Sequence, residues 1–226
     1  MCRSNSLLVA ADKKLLEFGL RRAQGPDGAV SASKYAYLGG FDGTSNVLAG
    51  KLTGIPVKGT HAHSFVMTSQ ALCELKSTML KKLNGEEVEF VSVVLDKLNL
   101  LGWGNKTNMG ELTAFISFAQ AFPKIFLALI DTYDTLKSGL PNFLAVGAAL
   151  YDLGYQPVGI RLDSGDLAYL SREARRMFLD ADKLLGKNIF AHCDIVASND
   201  INEEVCIYMR EVSSILRCRF GRFCFT

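Results

Sequence analysis

FLALIDTYDTLKSGLPNFLAVGAALYDLGYQPVGIRLDSGD, residues 126–166, decides the fold. It opens with a short apolar run, Phe126 to Ile130, that stops at Asp131. It closes with a second, Pro157 to Leu162, that stops at Asp163. Short apolar runs bounded by polar residues read as buried strands. Between them, residues 141–152 read as a helix that Gly154 ends. Further on, residues 167–185 place Leu167, Leu170, Ala174, Met177, Phe178, Ala181 and Leu184 along one helical face. Arg172, Glu173, Arg176 and Lys183 fall on the wet face. A third apolar stretch, 190–197, runs into Ser198, Asn199 and Asp200, where Asn199 or Asp200 could cap a following helix. Strand ends thus recur roughly every 30–40 residues with a helix between, the period of βα units in a parallel sheet or barrel. In such barrels the loops after the strand C-termini carry the active site. Asp131, Asp163, Asp166, Ser198, Asn199 and Asp200 are then expected at one mouth.

Toward the N-terminus the pattern is more broken. Residues 12–18 read as the end of a helix stopped near Gly19, and Gly25-Pro26 with Gly28 marks a turn. Ser31 is expected to cap a short helix to Leu38, and Thr44 or Ser45 another that ends at Gly50. Ile55 to Thr60 reads as a short strand leading into His61-Ala62-His63. Residues 69–85 give no clear pattern, whereas 86–101 and 110–122 read as helices.

The bulk properties exclude several classes. A 226-residue chain buries enough surface to need no staple, and a net charge of +2 gives no footprint for nucleic acid or membrane. The six cysteines show no CxxC or zinc spacing, so they read as thiols in a reducing compartment. Leu7 to Ala10 is too short for a signal peptide core, and a cytoplasmic protein is the expectation. Neither GxxxxGK[ST] nor GxGxxG occurs, which removes the simplest nucleotide-binding readings.

Three clusters can carry chemistry. In Arg161-Leu162-Asp163-Ser164-Gly165-Asp166, strand alternation points Arg161 and Asp163 the same way. They read either as a structural ion pair or as an Arg for an anionic substrate with an Asp for a hydroxyl or hydrated Mg2+. His61 and His63, two apart on the expected strand, read as structural groups, as an acid–base or nucleophilic pair, or as metal ligands. Arg21-Arg22, beside Phe18 and before a Gly/Pro turn, reads as a solvated pair or an anion clamp.

Several stretches together resemble nicotinate phosphoribosyltransferases: LLEFGLRRAQGPDG (15–28), ASKYAYLGGFDGTSNVLAGKL (32–52), IPVKGTHAHSFV (55–66), DTYDTLKSGLPNFLAV (131–146), GYQPVGIRLDSGDL (154–167) and IVASNDINEE (195–204). The resemblance spans residues 7–205 and implies an irregular (β/α) barrel of the type II phosphoribosyltransferase kind, incomplete here, working as a homodimer. It implies the joining of nicotinate and phosphoribosyl pyrophosphate, with ATP as co-substrate and Mg2+ (or Mn2+) assisting, in NAD biosynthesis by the salvage, Preiss-Handler route. By the same resemblance His63 is transiently phosphorylated, Thr60 and Arg161 contact nicotinate, and Arg21, Asp163, Ser198 and Asn199 line the ribosyl side, where Phe18 could add an aromatic face beside the arginines. LRRAQGPDG and GLPNF argue for nicotinate over nicotinamide.

Residues 1–205 are expected to form a partial barrel domain and 206–226 a divergent basic tail without the family's Gly-rich phosphate loop. The family's N-terminal region is likewise expected to be absent, and the isolated chain to turn over little or nothing. Two other readings stand beside this one: an inactive fragment that binds a full-length subunit, and a metal-dependent barrel hydrolase or lyase built on His61 and His63.

Overall fold

The tetrapeptide Lys14–Glu17 forms strand β1, not the end of a helix, because Leu15, Leu16 and Glu17 are all buried and pair with neighbours on both sides. The computed structural model describes residues 13–199, 201–202, 204–205, 207–208 and 220–225. Cys2, Leu7 to Ala10, Asp200, Cys206, Arg210, Arg217, Cys218 and Arg219 lie outside them. The chain is α/β and divides into two compact units.

The first unit comprises residues 1–59, 162–169 and 195–226. Its strands are β1, β2 (Gly43–Thr44), β7 (Asp194–Ser198) and β8 (Phe220–Phe225), all parallel, in the order β2-β1-β8-β7. Strand β8 therefore comes from the segment that gives no structural reading in sequence. Helix α1 spans Gly25–Leu38. It begins well before Ser31 because Pro26 sits in its first turn, where a missing N–H costs nothing. Helix α2, Val47–Thr53, is capped by neither Thr44 nor Ser45. Asn46 accepts from the Ala49 N–H at 3.1 Å, and left-handed Gly54 ends the helix. Gly50 lies inside it, where a Cβ would sit 2.2 Å from Val57 Cγ2. Residues 55–60 make only an isolated parallel bridge, Val57 to Thr44, not a strand.

The second unit comprises residues 60–161 and 170–194. Strand β3 (Met79–Lys81), in the 69–85 stretch that is unreadable in sequence, forms an antiparallel hairpin with β4 (Glu87–Glu89). Strands β5 (Leu127–Leu129) and β6 (Gly159–Leu162) are parallel, as predicted. Helix α3 is the short turn His63–Val66. Helices α4 (Phe90–Leu100), α5 (Met109–Ala121), α6 (Leu140–Asp152) and α7 (Leu167–Leu185) follow the predicted spans closely, except that the hairpin takes the first residues of 86–101. A column of buried rings organises this core. Phe126 stacks on Phe143 at 5.6 Å, and Phe143 meets Phe178 and Phe190 within 6 Å. Among the described residues, no helix is long and apolar enough to cross a membrane.

Candidate functional site

In the second unit, backbone order starts from β5, whose residues are all buried. At its end Asp131 and Thr132 emerge, and a π-helical turn over Thr135–Gly139 leads into α6. Such turns cluster at functional sites. Gly139 presses against the strand end so closely that a Cβ would lie 1.9 Å from the Ile130 carbonyl oxygen. His63, the first residue of α3, turns toward this connection. Its Nδ1 lies 3.2 Å from Thr132 Oγ1, and its Nε2 lies 3.9 Å from Asp131 Oδ1. The Asp131 side chain is 2% exposed, against 39% for His63. An open imidazole is thus held against a nearly sealed carboxylate.

His61 does not share that environment. The segment is not a strand here, so the two-residue spacing fails to put both rings on one face. His61 is buried among Phe65, Phe115 and Phe118, and its Nε2 accepts the Leu129 N–H at 3.2 Å. The proton of the neutral ring is then on Nδ1. Burial lowers its pKa to about 4, opposed by a hydrogen bond with the Ala62 backbone and reinforced by Arg161 and His63. His61 is therefore a neutral structural ring, and the paired-histidine metal reading loses one of its ligands. Arg161, on β6, donates to Thr60 Oγ1 at 3.2 Å, and that hydroxyl reaches the His61 carbonyl.

One residue in this unit carried no sequence expectation. Glu111, on α5, has no exposed surface. It accepts from Ser138 Oγ at 2.5 Å and from Asn142 Nδ2 at 3.2 Å. Burial raises its pKa to about 7, helped by Asp131 and Asp134 and opposed by those two hydrogen bonds. A lone acid inside the apolar string GELTAFISFAQAF was the available signal.

In the first unit, buried Glu17 anchors the arginine turn. Its carboxylate accepts from Ser33 Oγ at 2.8 Å, from Thr44 Oγ1 at 2.5 Å and from the Gly19 N–H. Phe18 caps a 3-10 turn over Gly19–Arg22, which leaves Arg21 and Arg22 exposed. Arg22 Nη2 reaches Asn199 Oδ1 at 3.4 Å. Asn199 takes a left-handed φ of 77°, which asparagine tolerates better than most residues. Beside it, buried Ser198 donates to the Asp163 carboxylate. Asp166 caps α7 by accepting the Tyr169 N–H at 2.9 Å, so that helix start is satisfied by its own side chain. Arg21, Phe18, Asp163, Ser198 and Asn199 thus belong to one unit, and Thr60, His63 and Arg161 to the other.

A sequence profile of the nicotinate phosphoribosyltransferase (NAPRTase) family matches residues 13–222. The chain belongs to the nicotinate phosphoribosyltransferase family. It is 56% identical over 206 residues to nicotinate phosphoribosyltransferase 2 of Arabidopsis thaliana, covering 87% of this chain and 37% of that protein. It is 46% identical over 215 residues to the Homo sapiens nicotinate phosphoribosyltransferase, covering 92% and 40%. The crystal structure of human nicotinic acid phosphoribosyltransferase superposes on all of this chain and 46% of its own, with TM-score 0.88 and 42% identity. A Porphyromonas gingivalis nicotinate phosphoribosyltransferase shares the fold at TM-score 0.66 and 19% identity, over 48% of its own length. The chain therefore spans less than half the length of these family members.

Proposed function

We propose that this family member takes part in joining nicotinate to phosphoribosyl pyrophosphate, giving nicotinate mononucleotide and pyrophosphate with coupled ATP hydrolysis. The observation that carries this reading is His63, held between Thr132 and Asp131 while its ring stays open to solvent. The Thr132 hydroxyl can serve either tautomer of the ring, and the ring nitrogen without the proton keeps a lone pair. That lone pair attacks the γ-phosphorus of ATP, forming the N–P bond as the bond to ADP oxygen breaks, and water later takes the phosphoryl group. Asp131 stabilises the positive charge that the ring gains on attack.

Arg161 suits the nicotinate carboxylate because a planar guanidinium fork matches the two carboxylate oxygens, and its contact with Thr60 fixes one edge of that fork. Thr60 helps to orient that fork. Arg21, with Phe18, Asp163, Ser198 and Asn199, fits the ribosyl and phosphate side. Displacement at the anomeric carbon leaves negative charge on pyrophosphate, which an exposed arginine stabilises. Among the described residues no cluster of three or more His, Cys, Asp or Glu could hold a metal ion. Asp163 offers a hard oxygen donor, which fits Mg2+ (or Mn2+) carried largely by substrate phosphates and water. Such an ion would neutralise the leaving pyrophosphate.

The parallel βα units support a barrel of the type II phosphoribosyltransferase kind, and the names of the relatives support a place in nicotinate use; a cytoplasmic location and a homodimer belong to the same proposal. Strand β8 falls within the 206–226 segment and pairs with β1 and β7.

The test is mass-spectrometric detection of nicotinate mononucleotide from nicotinate, phosphoribosyl pyrophosphate and Mg2+, with and without ATP, alongside calorimetry of both substrates. ATP-stimulated product, with the stimulation lost in His63→Ala, is the expected result for the catalytic protein. A chain that melts cooperatively yet binds neither nicotinate nor phosphoribosyl pyrophosphate overturns the reading. Product from nicotinamide alone moves it to the nicotinamide-using relatives.

A further inference from the structure

We infer that Glu111 is a positioning residue for His63, acting through the connection that carries the histidine's two partners. The inference rests on the reading of His63 as the reactive histidine. Asp131 and Thr132 open the connection, and Ser138 and Gly139 close it against α6. Ser138 Oγ donates to Glu111 Oε2 at 2.5 Å and accepts the Asn108 N–H at 2.9 Å. Asn142, on α6, donates to the same carboxylate and to the Asn108 carbonyl at 3.1 Å. Asn108 in turn caps α5 by accepting the Glu111 N–H at 2.9 Å.

The network is closed and buried, and it ties α5, the π-helical turn and α6 at one point. The near end of the turn is fixed separately, by Asp134 accepting the Leu136 and Lys137 N–H groups. Gly139 seats the far end directly on the Ile130 carbonyl, one residue before Asp131. Movement at Ser138 is therefore passed to Asp131 and Thr132 through a segment with little slack. The charged groups on this connection are Asp131, Asp134 and Lys137, the last 4.0 Å from Asp134, and His63 faces it from α3. Glu111 also keeps Oε1 buried without a partner among the described residues. A carboxyl at that cost earns its place by holding Ser138 and Asn142 rather than by packing.

The chain has three histidines, so the His63 ring resonances can be followed by NMR at fixed pH. Asp131→Asn sets the reference, moving the His63 ring shifts by changing the group that faces the ring. Glu111→Ala is expected to move them by at least half as much. Glu111→Gln, which keeps an acceptor for Ser138, is expected to stay near wild type. Val94→Ala, a core truncation on α4, is expected to leave the ring shifts unchanged. If Glu111→Ala does not fold, Ser138→Ala is read in the same assay with the same expectation. A shift with Asp131→Asn and none with Glu111→Ala overturns the inference alone. No shift with either overturns it together with the pairing on which it rests. Equal shifts from Glu111→Gln and Glu111→Ala mean that charge, not position, is transmitted, and also overturn it.

Discussion

Arg161 and Thr60, a hundred and one residues apart in sequence, meet through a single 3.2 Å hydrogen bond from guanidinium to hydroxyl. That bond fixes one edge of a planar fork whose geometry matches a carboxylate. Lysine cannot reproduce the fork. Arg161→Lys is expected to weaken nicotinate binding about tenfold to a hundredfold, since a charged hydrogen bond contributes about 1.5–3 kcal/mol. Thr60→Val should cost less, about tenfold or under, because it removes only the orienting acceptor. Calorimetric titration with nicotinate measures both, and equal affinity across wild type and Arg161→Lys would remove Arg161 from the carboxylate site.

His61 makes stability sensitive to acid. Its folded pKa, about 4, lies below the unfolded value of 6.5. The unfolded chain therefore binds the extra proton first, and the stability present above pH 6.5 is lost as pH falls toward 4. The loss from this group is on the order of 3 kcal/mol. Urea unfolding at stepped pH checks it. His61→Phe, which keeps the ring packing, should be less stable at neutral pH but show a shallower fall below pH 6.5.

Glu111 has the opposite sign. Its folded pKa, about 7, lies above the ordinary glutamate value of 4.5, chiefly through burial. Its contribution is fully present below pH 4.5 and is lost as pH rises through 7, again on the order of 3 kcal/mol. The stability difference between wild type and Glu111→Gln should therefore shrink steadily from pH 4.5 to pH 8. A difference that stays constant across that range would mean that Glu111 does not change protonation there.

Gly139→Ala introduces a methyl group where the Ile130 carbonyl oxygen lies 1.9 Å away. Overpacking of this kind typically costs about 1–3 kcal/mol. Because the clash falls between β5 and the π-helical turn, the variant should also disturb the Thr132 contact to His63. Thermal melts read the first effect and the His63 ring resonance the second. A melt unchanged from wild type would show that the turn can yield.

The βα rhythm was legible because each strand is a short apolar run stopped by a polar residue and each helix carries a clear face. β1 was not, because LLEF has the same apolar content in a helix as in a strand, and only its pairing partners decide between them. The π-helical turn left no mark that separates it from an ordinary helix start. Among the candidate residues, Arg161 and Thr60 stood out by type, yet their contact depends on tertiary folding. The spacing of His61 and His63 is misleading, since α3 begins at His63 and the two rings meet different surroundings. Glu17 and Glu111 went unremarked because an acid within an apolar string looks like the edge of a wet face until burial is known.

Strand β8 also constrains the order of assembly during synthesis. Lys14 and Arg222 are register partners, and Phe220 and Ile195 are partners on the other side. β2 is at hand early, but the ribosome must release the chain through β8 before β1 is paired on its second side. The second unit draws most of its length from one continuous stretch, 60–161, and can begin to collapse far earlier. A nascent chain stalled near residue 195 should then protect α5 and α6 from protease while leaving Lys14–Glu17 open to cleavage.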